Sequence, residues 1–116
     1  MEVNYVSKKR LFFIIGIVLL VLIIGFIYYF FNGSPNKKSD TATEVKTYLM
    51  TERTYKAEDF QEIDGVYSFK YKEYQAIVKF KDEPNVNYTY AKVNGKFKLV
   101  GTTNVQGKHM DSTFNN

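Results

Sequence analysis

The chain contains no cysteine, one histidine and two prolines among its 116 residues. Without cysteine there is no disulfide framework, and lipoprotein modification and S-palmitoylation are excluded as routes to a membrane. A zinc site of histidines and cysteines is excluded as well, because His109 has no second histidine or cysteine to join it. The sequence also lacks the glycine-rich phosphate loops and the GxSxG motif, so no common nucleotide-binding or hydrolase signature is present.

Charge is missing altogether from residues 11–31, which read LFFIIGIVLLVLIIGFIYYFF. A helix of these 21 residues is about 31 Å long, which matches the roughly 30 Å hydrocarbon core of a bilayer. The run exceeds the roughly 7–15 apolar residues of a cleaved signal peptide, and aromatic residues stand where a small-residue cleavage site is needed. We therefore predict a single-pass transmembrane helix, a signal-anchor whose partner is the lipid bilayer.

The cations that flank this run predict its orientation. Lys8, Lys9 and Arg10 directly precede it, whereas the lysines that follow are more distant and partly offset by acidic residues. Because cytoplasmic flanks carry the excess of Lys and Arg, residues 1–10 are predicted to be cytoplasmic and the remainder extracytoplasmic, at the cell membrane. The exported part holds 13 basic and 11 acidic residues, so it has no large field of one sign with which to bind nucleic acid.

After the span, residues 32–40 read NGSPNKKSD and are predicted to form a linker, since they offer nothing apolar to bury. Thr41 is then a candidate N-cap, with Glu44 completing a capping box. This predicts an amphipathic helix over residues 42–53. Its apolar face consists of Ala42, Val45, Tyr48 and Leu49.

Four strands follow, because the apolar period switches to two from about residue 60. They are predicted at 66–72, 74–81, 86–92 and 96–103, with turns at Asp64-Gly65, Asp82-Glu83-Pro84-Asn85 and Asn94-Gly95. Apolar side chains alternate with polar ones along each strand, and Phe97 and Leu99 mark the inner face of the last. The fold class is thus α+β, with one helix packed on an antiparallel meander in a small domain of residues 41–103. The polar tail, residues 104–116, is predicted to fray.

Two segments carry a resemblance to a known family: VKFKDEPNVNYTY at residues 78–90 and GVYSFK at residues 65–70. Together with the N-terminal apolar helix, they resemble an uncharacterised domain-of-unknown-function family, number three-one-three-nine, of short single-span proteins from Gram-positive bacteria. The resemblance covers residues 11–100 and implies a bacterial membrane protein without assigned catalytic residues. The order of helix and strands is also similar to PepSY-like and cystatin-like modules, a likeness that implies no function.

Few residues in the domain are candidates for chemistry. Asp82 and Glu83 are adjacent, and because neighbours in a strand or turn point apart, they are not expected to share a proton as an acid/base pair. His109 is expected to be solvated in the polar tail. We therefore predict no catalytic, cofactor-binding or metal site. The alternative is an enzyme or an ion-binding domain centred on Asp82, Glu83 and Asn85.

The leading functional prediction is a non-enzymatic extracytoplasmic domain that contacts an envelope protein or peptide. An exposed sheet edge provides one physical route, because a partner strand can pair with its free backbone groups. A second alternative is an accessory subunit of a membrane complex, with Gly16 and Gly25 admitting another span. These glycines are nine residues apart and lie on opposite helix faces, which disfavours one shared seam.

Overall fold

The structure is a computed structural model that describes residues 2–114, with side chains from residue 8 onward. Met1, Asn115 and Asn116, which the sequence analysis assigned to the cytoplasmic N-terminus and to the tail, lie outside the described residues. The chain divides into two compact units, Met1–Phe31 and Asn32–Asn116. Each unit is described by itself below.

The first unit is one long helix, α1, Glu2–Asn32. The large apolar side chains of its central run are all exposed within the structure, as Phe12 and Phe26 illustrate at 74 % and 70 %. Such a surface is unfavourable in water and favourable in hydrocarbon. Within the described part of the chain, this is the helix that is long and apolar enough to cross a membrane.

The second unit consists of a helix and an antiparallel sheet. Helix α2 spans Pro35–Glu52, and a short 3₁₀ turn follows at Ala57–Asp59. The strands are β1 Phe60–Ser68, β2 Glu73–Phe80, β3 Glu83–Val93 and β4 Lys96–Thr102. They lie in the order β1-β2-β3-β4, with every neighbouring pair antiparallel. The predicted α+β fold class is confirmed, whereas the likeness to PepSY-like and cystatin-like modules stays a prediction.

The core lies between α2 and one face of the sheet. Val45 and Leu49, four residues apart on α2, are both fully buried because that spacing places them on one face of the helix. Ala91 is also buried but is not part of the core cluster. The sheet residues of the core alternate along the strands as the period of two requires. They are Phe60, Ala76, Val78, Phe80, Val86, Tyr88, Tyr90 and Leu99. The predicted inner face is therefore confirmed for β2, for β3 and for Leu99.

Helix α2 begins earlier than the sequence analysis predicted. Ser34 has an extended backbone at the N-cap position, and Pro35 occupies the first turn, where its fixed φ suits a helix and its missing N–H is not needed. Most of residues 32–40 is therefore helical, and the linker predicted there is reduced to the residues before Pro35. The Thr41 hydroxyl does not cap the helix but donates a hydrogen bond to the Lys37 carbonyl, at 2.8 Å.

Two predicted turns are also corrected. Asp64-Gly65 lies inside β1, where a Cβ on Gly65 would come 1.8 Å from the Lys38 carbonyl oxygen. This glycine therefore permits close approach of the α2 backbone and does not form a turn. The next predicted turn is shorter than expected, because β3 already begins at Glu83 and only Lys81 and Asp82 connect it to β2.

A meander places successive turns at opposite ends of the sheet. One end holds the β1–β2 turn at residues 69–72, the β3–β4 turn at residues 94–95, and residues 33–34, from which the Ser34 amide donates to the Tyr74 hydroxyl at 2.8 Å. We call this the junction end. The other end holds the β2–β3 turn at residues 81–82 and the chain after β4, residues 103–114, and we call it the tail end.

Candidate functional site

The chain after β4 packs against the domain at the tail end. Met110 and Phe114 are partly buried against the core. The Asp111 carboxylate, whose side chain is 3 % exposed, lies 3.7 Å from the Arg53 guanidinium, and the Leu99 amide donates to the Thr113 hydroxyl at 2.9 Å. The prediction of a fraying tail was therefore wrong for residues 104–114.

His109 lies at the centre of these contacts and is not solvated as expected. Its ring stacks on Phe80 with 3.8 Å between centroids, and its side chain is 14 % exposed. Nε2 lies 2.8 Å from Asp82 Oδ1, and Nδ1 lies 3.0 Å from the Tyr55 hydroxyl. With the proton on Nε2, the ring donates to Asp82 and accepts from Tyr55, so both ring nitrogens are satisfied.

Glu83 makes a second set of contacts beside His109. Its carboxylate accepts hydrogen bonds from the Tyr88 hydroxyl and from the Lys108 amide, the latter at 3.0 Å. The Tyr88 hydroxyl in turn accepts from the His109 amide at 3.1 Å. Gly107 makes this arrangement possible, because a Cβ there would lie 1.9 Å from the Tyr88 hydroxyl oxygen. Asp82 and Glu83 thus bind two adjacent residues of the tail, His109 and Lys108, through separate hydrogen bonds.

The electrostatics of this cluster favour fixed protonation states at neutral pH. The hydrogen bond from His109 holds the pKa of Asp82 below its usual value, and the hydrogen bond from Tyr88 does the same for the pKa of Glu83. Burial, reinforced by the bond to Glu83, raises the pKa of Tyr88 to about 12. Burial also raises the pKa of Tyr55. Both carboxylates are therefore ionised and both hydroxyls protonated.

The contacts of this cluster hold the tail against the domain. A carboxylate, an imidazole and a hydroxyl in sequence resemble a proton relay, but a raised pKa makes Tyr55 a poor nucleophile. Asn85 is exposed, and its side chain makes no hydrogen bond with the part of the chain that the structure describes. Across residues 8–114, no three acidic, histidine or cysteine side chains are placed to hold a metal ion.

At the junction end, by contrast, aromatic side chains are exposed. Tyr67 and Tyr74 contact each other, with 4.9 Å between ring centroids, and cover Gly33, whose φ of +76° favours glycine. Tyr71, in the β1–β2 turn, is 64 % exposed, and the Lys70 ammonium lies 5.3 Å from its ring centroid. This exposed aromatic surface was not predicted, because residues 66–72 were interpreted as a strand.

The two edges of the sheet also differ. At the β4 edge, Thr113 binds the Leu99 amide and so occupies a backbone donor. β1 is the longer edge strand, and no further strand of the described chain pairs with it. Glu62 and Asp64, which are exposed, place negative charge along this edge.

A family model described as YfjL-like, N-terminal domain, matches residues 8–103. The matched region runs from the basic flank of α1 to the end of β4 and stops before the tail. No curated protein and no solved structure matches the chain. The expectation that the chain belongs to an uncharacterised family is therefore confirmed, while the number three-one-three-nine and the Gram-positive distribution stay predictions.

Proposed function

The chain belongs to the YfjL-like N-terminal domain family, and from this membership and its fold we propose a membrane-anchored, non-enzymatic domain that binds a protein or peptide partner. The observation that carries the proposal is an exposed apolar helix followed by a small open sheet with an unpaired edge strand. A helix of this length is compatible with a single span, and an unpaired edge offers backbone donors and acceptors to another strand.

We propose that the domain lies outside the cytoplasm, and the cations before the span support this orientation. Lys8, Lys9 and Arg10 support retention of the N-terminus in the cytoplasm of a bacterial cell. Alkaline phosphatase fused after Asn116 is therefore expected to be active, because the enzyme folds only after export. Inactive phosphatase, together with an active cytoplasmic reporter at the same position, would reverse the orientation.

The partner is proposed to bind β1 by strand addition. Backbone hydrogen bonds would supply affinity, and side chains along the edge would supply specificity. Glu62 and Asp64 favour a partner strand that carries lysine or arginine on the matching face. Glu62 already lies 3.8 Å from the Lys79 ammonium of the neighbouring strand, which shows that its side chain is able to pair across strands.

Site-specific photocrosslinking in intact cells tests this proposal. A photoreactive residue at Gln61, on β1, is expected to capture a discrete partner, and the same residue at Lys96, on β4, serves as the control. Asp64→Lys in the first protein is expected to abolish capture, since it reverses the charge that the partner meets. Equal capture from both edges, or capture unaffected by Asp64→Lys, would contradict strand addition at β1.

The tail-end cluster is assigned a structural role in this proposal. The alternative, a catalytic or ion-binding domain centred on Asp82, Glu83 and Asn85, makes a different prediction for the same cells. Under that alternative, Asn85→Ala would abolish the cellular function. The domain would stay folded, because the Asn85 side chain is exposed and makes no hydrogen bond within the described chain. Under our proposal, Asn85→Ala leaves partner capture unchanged.

A further inference from the structure

Exposed apolar side chains of the second unit are concentrated at the junction end. Outside α1, the exposed large apolar residues are Met50, Phe69, Tyr71, Val93 and Val105. Phe69 and Tyr71 belong to the β1–β2 turn, and Val93 directly precedes the β3–β4 turn. The two hairpin turns of one end therefore carry three of the five residues, and Tyr71 is the most exposed of these three.

Four exposed lysines lie at the same end. Lys70 and Lys72 are in the β1–β2 turn, Lys96 directly follows the β3–β4 turn, and Lys37 is in the first turn of α2. The tail end also has lysines, Lys56, Lys81 and Lys108, but there they are offset by the carboxylates of Asp82, Glu83 and Asp111. A domain that is nearly neutral as a whole thus has a cationic end.

The cationic end includes the residues that directly follow the apolar run in the chain. The run ends at Phe31, and two residues span at most about 7 Å before Gly33. Gly33 lies against Tyr67 and Tyr74, a residue pair that is separated from the β1–β2 turn by the pair Ser68 and Glu73. If residues 11–31 span a bilayer, the headgroup region therefore begins within a few residues of this turn.

We propose that the junction end is a docking surface for the bilayer, in which Tyr71 enters the interface and Lys70, Lys72 and Lys96 bind anionic phospholipid headgroups. This inference rests on the membrane anchoring in the proposed function. Tyrosine is favoured at headgroup level because its ring is apolar and its hydroxyl is polar. Each lysine near an anionic surface biases docking roughly fivefold. The Lys70 ammonium beside the Tyr71 ring lets the pair bind as one amphipathic unit.

Nitroxide quenching of a single fluorophore tests the docking in the full-length chain. The natural absence of cysteine allows one label at Tyr71→Cys and, as a control, one at Val105→Cys, a residue that is 66 % exposed in the tail. Each protein is reconstituted into nanodiscs of phosphatidylcholine with or without phosphatidylglycerol, with nitroxide on a fraction of the headgroups. The label at position 71 is expected to be quenched more strongly than that at 105, and more strongly when phosphatidylglycerol is present.

Charge reversal identifies the residues responsible. Lys70→Glu combined with Lys72→Glu is expected to remove the additional quenching caused by phosphatidylglycerol, whereas the tail-end pair Lys56→Glu with Lys81→Glu leaves it unchanged. Circular dichroism verifies that both variants are folded. Equal quenching at positions 71 and 105, or quenching indifferent to phosphatidylglycerol, would overturn the proposal.

A third label separates this inference from the anchoring on which it rests. Gly16→Cys lies within the apolar run, where an added side chain meets no other atom. Quenching of this label by a nitroxide in the lipid tails shows that the run is inserted. Strong quenching at position 16 with equal quenching at 71 and 105 would overturn docking alone. Absence of quenching at position 16 would overturn the anchoring and the docking together.

Discussion

The junction end and the tail end of the sheet use the same kinds of side chain for different purposes. Tyr71 and Lys70 at the junction end are exposed to solvent, whereas Tyr88 at the tail end is completely buried and the Lys108 ammonium donates to the Asp82 carbonyl. The difference comes from the chain after β4, which covers one end of the sheet and leaves the other uncovered. Composition alone therefore does not identify the exposed surface. The two ends are expected to differ in how much their side chains contribute to the free energy of unfolding.

The largest effect is expected from removing the tail. A chain that stops after Thr103 lacks Met110 and Phe114, which pack on the core, and frees the Leu99 amide. Full burial of two such apolar side chains contributes roughly 3–6 kcal/mol, so the partial burial of Met110 and Phe114 is still a large share of the roughly 5 kcal/mol total of a small domain. The shortened chain should lose cooperative unfolding in urea, followed by near-ultraviolet circular dichroism in detergent. An unchanged urea transition would show that residues 104–116 do not stabilise the domain.

The next effect compares two tyrosines. Tyr88→Ala empties a fully buried site and leaves Glu83 without its hydroxyl partner, so we expect a loss of about 3 kcal/mol or more. Tyr71→Ala removes an exposed ring and should change the free energy of unfolding by less than about 0.5 kcal/mol. Urea melts of both variants measure the difference, and similar values would remove the contrast between the two ends.

Two glycines provide a sharper test of the tail contact. Gly107→Ala would place a Cβ 1.9 Å from the Tyr88 hydroxyl oxygen, so the tail must move, at a cost of about 2 kcal/mol. Gly101→Ala is the matched control, because its Cβ would lie 3.7 Å from Thr89, an ordinary contact. Thermal melts should therefore show a lower Tm for Gly107→Ala only. An equal decrease in Tm for both variants would show that alanine is unfavourable at both positions for a reason other than the contact with Tyr88.

Much of the fold follows from periodicity in the sequence. The apolar run, the buried pair Val45 and Leu49, and the alternation in β2 and β3 all depend on local spacing, and the structure has them as predicted. The start of α2 was missed because Gly, Ser, Pro and Asn were interpreted as a linker. A Ser-Pro pair also marks an N-cap and the first helical residue, and this signal predicts the observed start.

The site was harder to predict because its contacts join distant parts of the chain. His109 and Asp82 are 27 residues apart, and no local pattern brings a lone histidine to a particular carboxylate. Gly65 was interpreted as a turn because nothing in the sequence shows that the Lys38 carbonyl approaches it. The tail contained one usable signal, the apolar residues Met110 and Phe114 at a spacing of four, after which and between which the residues are polar.

The smallest expected effect is on acid stability, and it tests the hydrogen bonds of the tail end one at a time. Asp82 and Glu83 have lower pKa values in the folded state than the roughly 3.9 and 4.3 of an unfolded chain. The unfolded state therefore binds more protons in acid, so these carboxylates stabilise the fold above about pH 4.3. That stabilisation is lost as the pH falls through the folded-state pKa values.

NMR titration distinguishes the two carboxyl groups, because a different hydrogen bond lowers the pKa of each. His109→Ala removes the hydrogen bond that most lowers the pKa of Asp82, so that pKa should rise toward its usual value while the pKa of Glu83 stays low. Tyr88→Phe should do the reverse, because the hydroxyl is the main cause for Glu83. Each variant should also lose less free energy of unfolding than the parent between pH 5 and pH 3. The reason is that the pKa of one carboxylate is then similar in the folded and unfolded states. If either substitution moved both pKa values equally, the two carboxylates would form one coupled site, and the separate contacts that hold residues 108 and 109 would not explain how the tail is fixed.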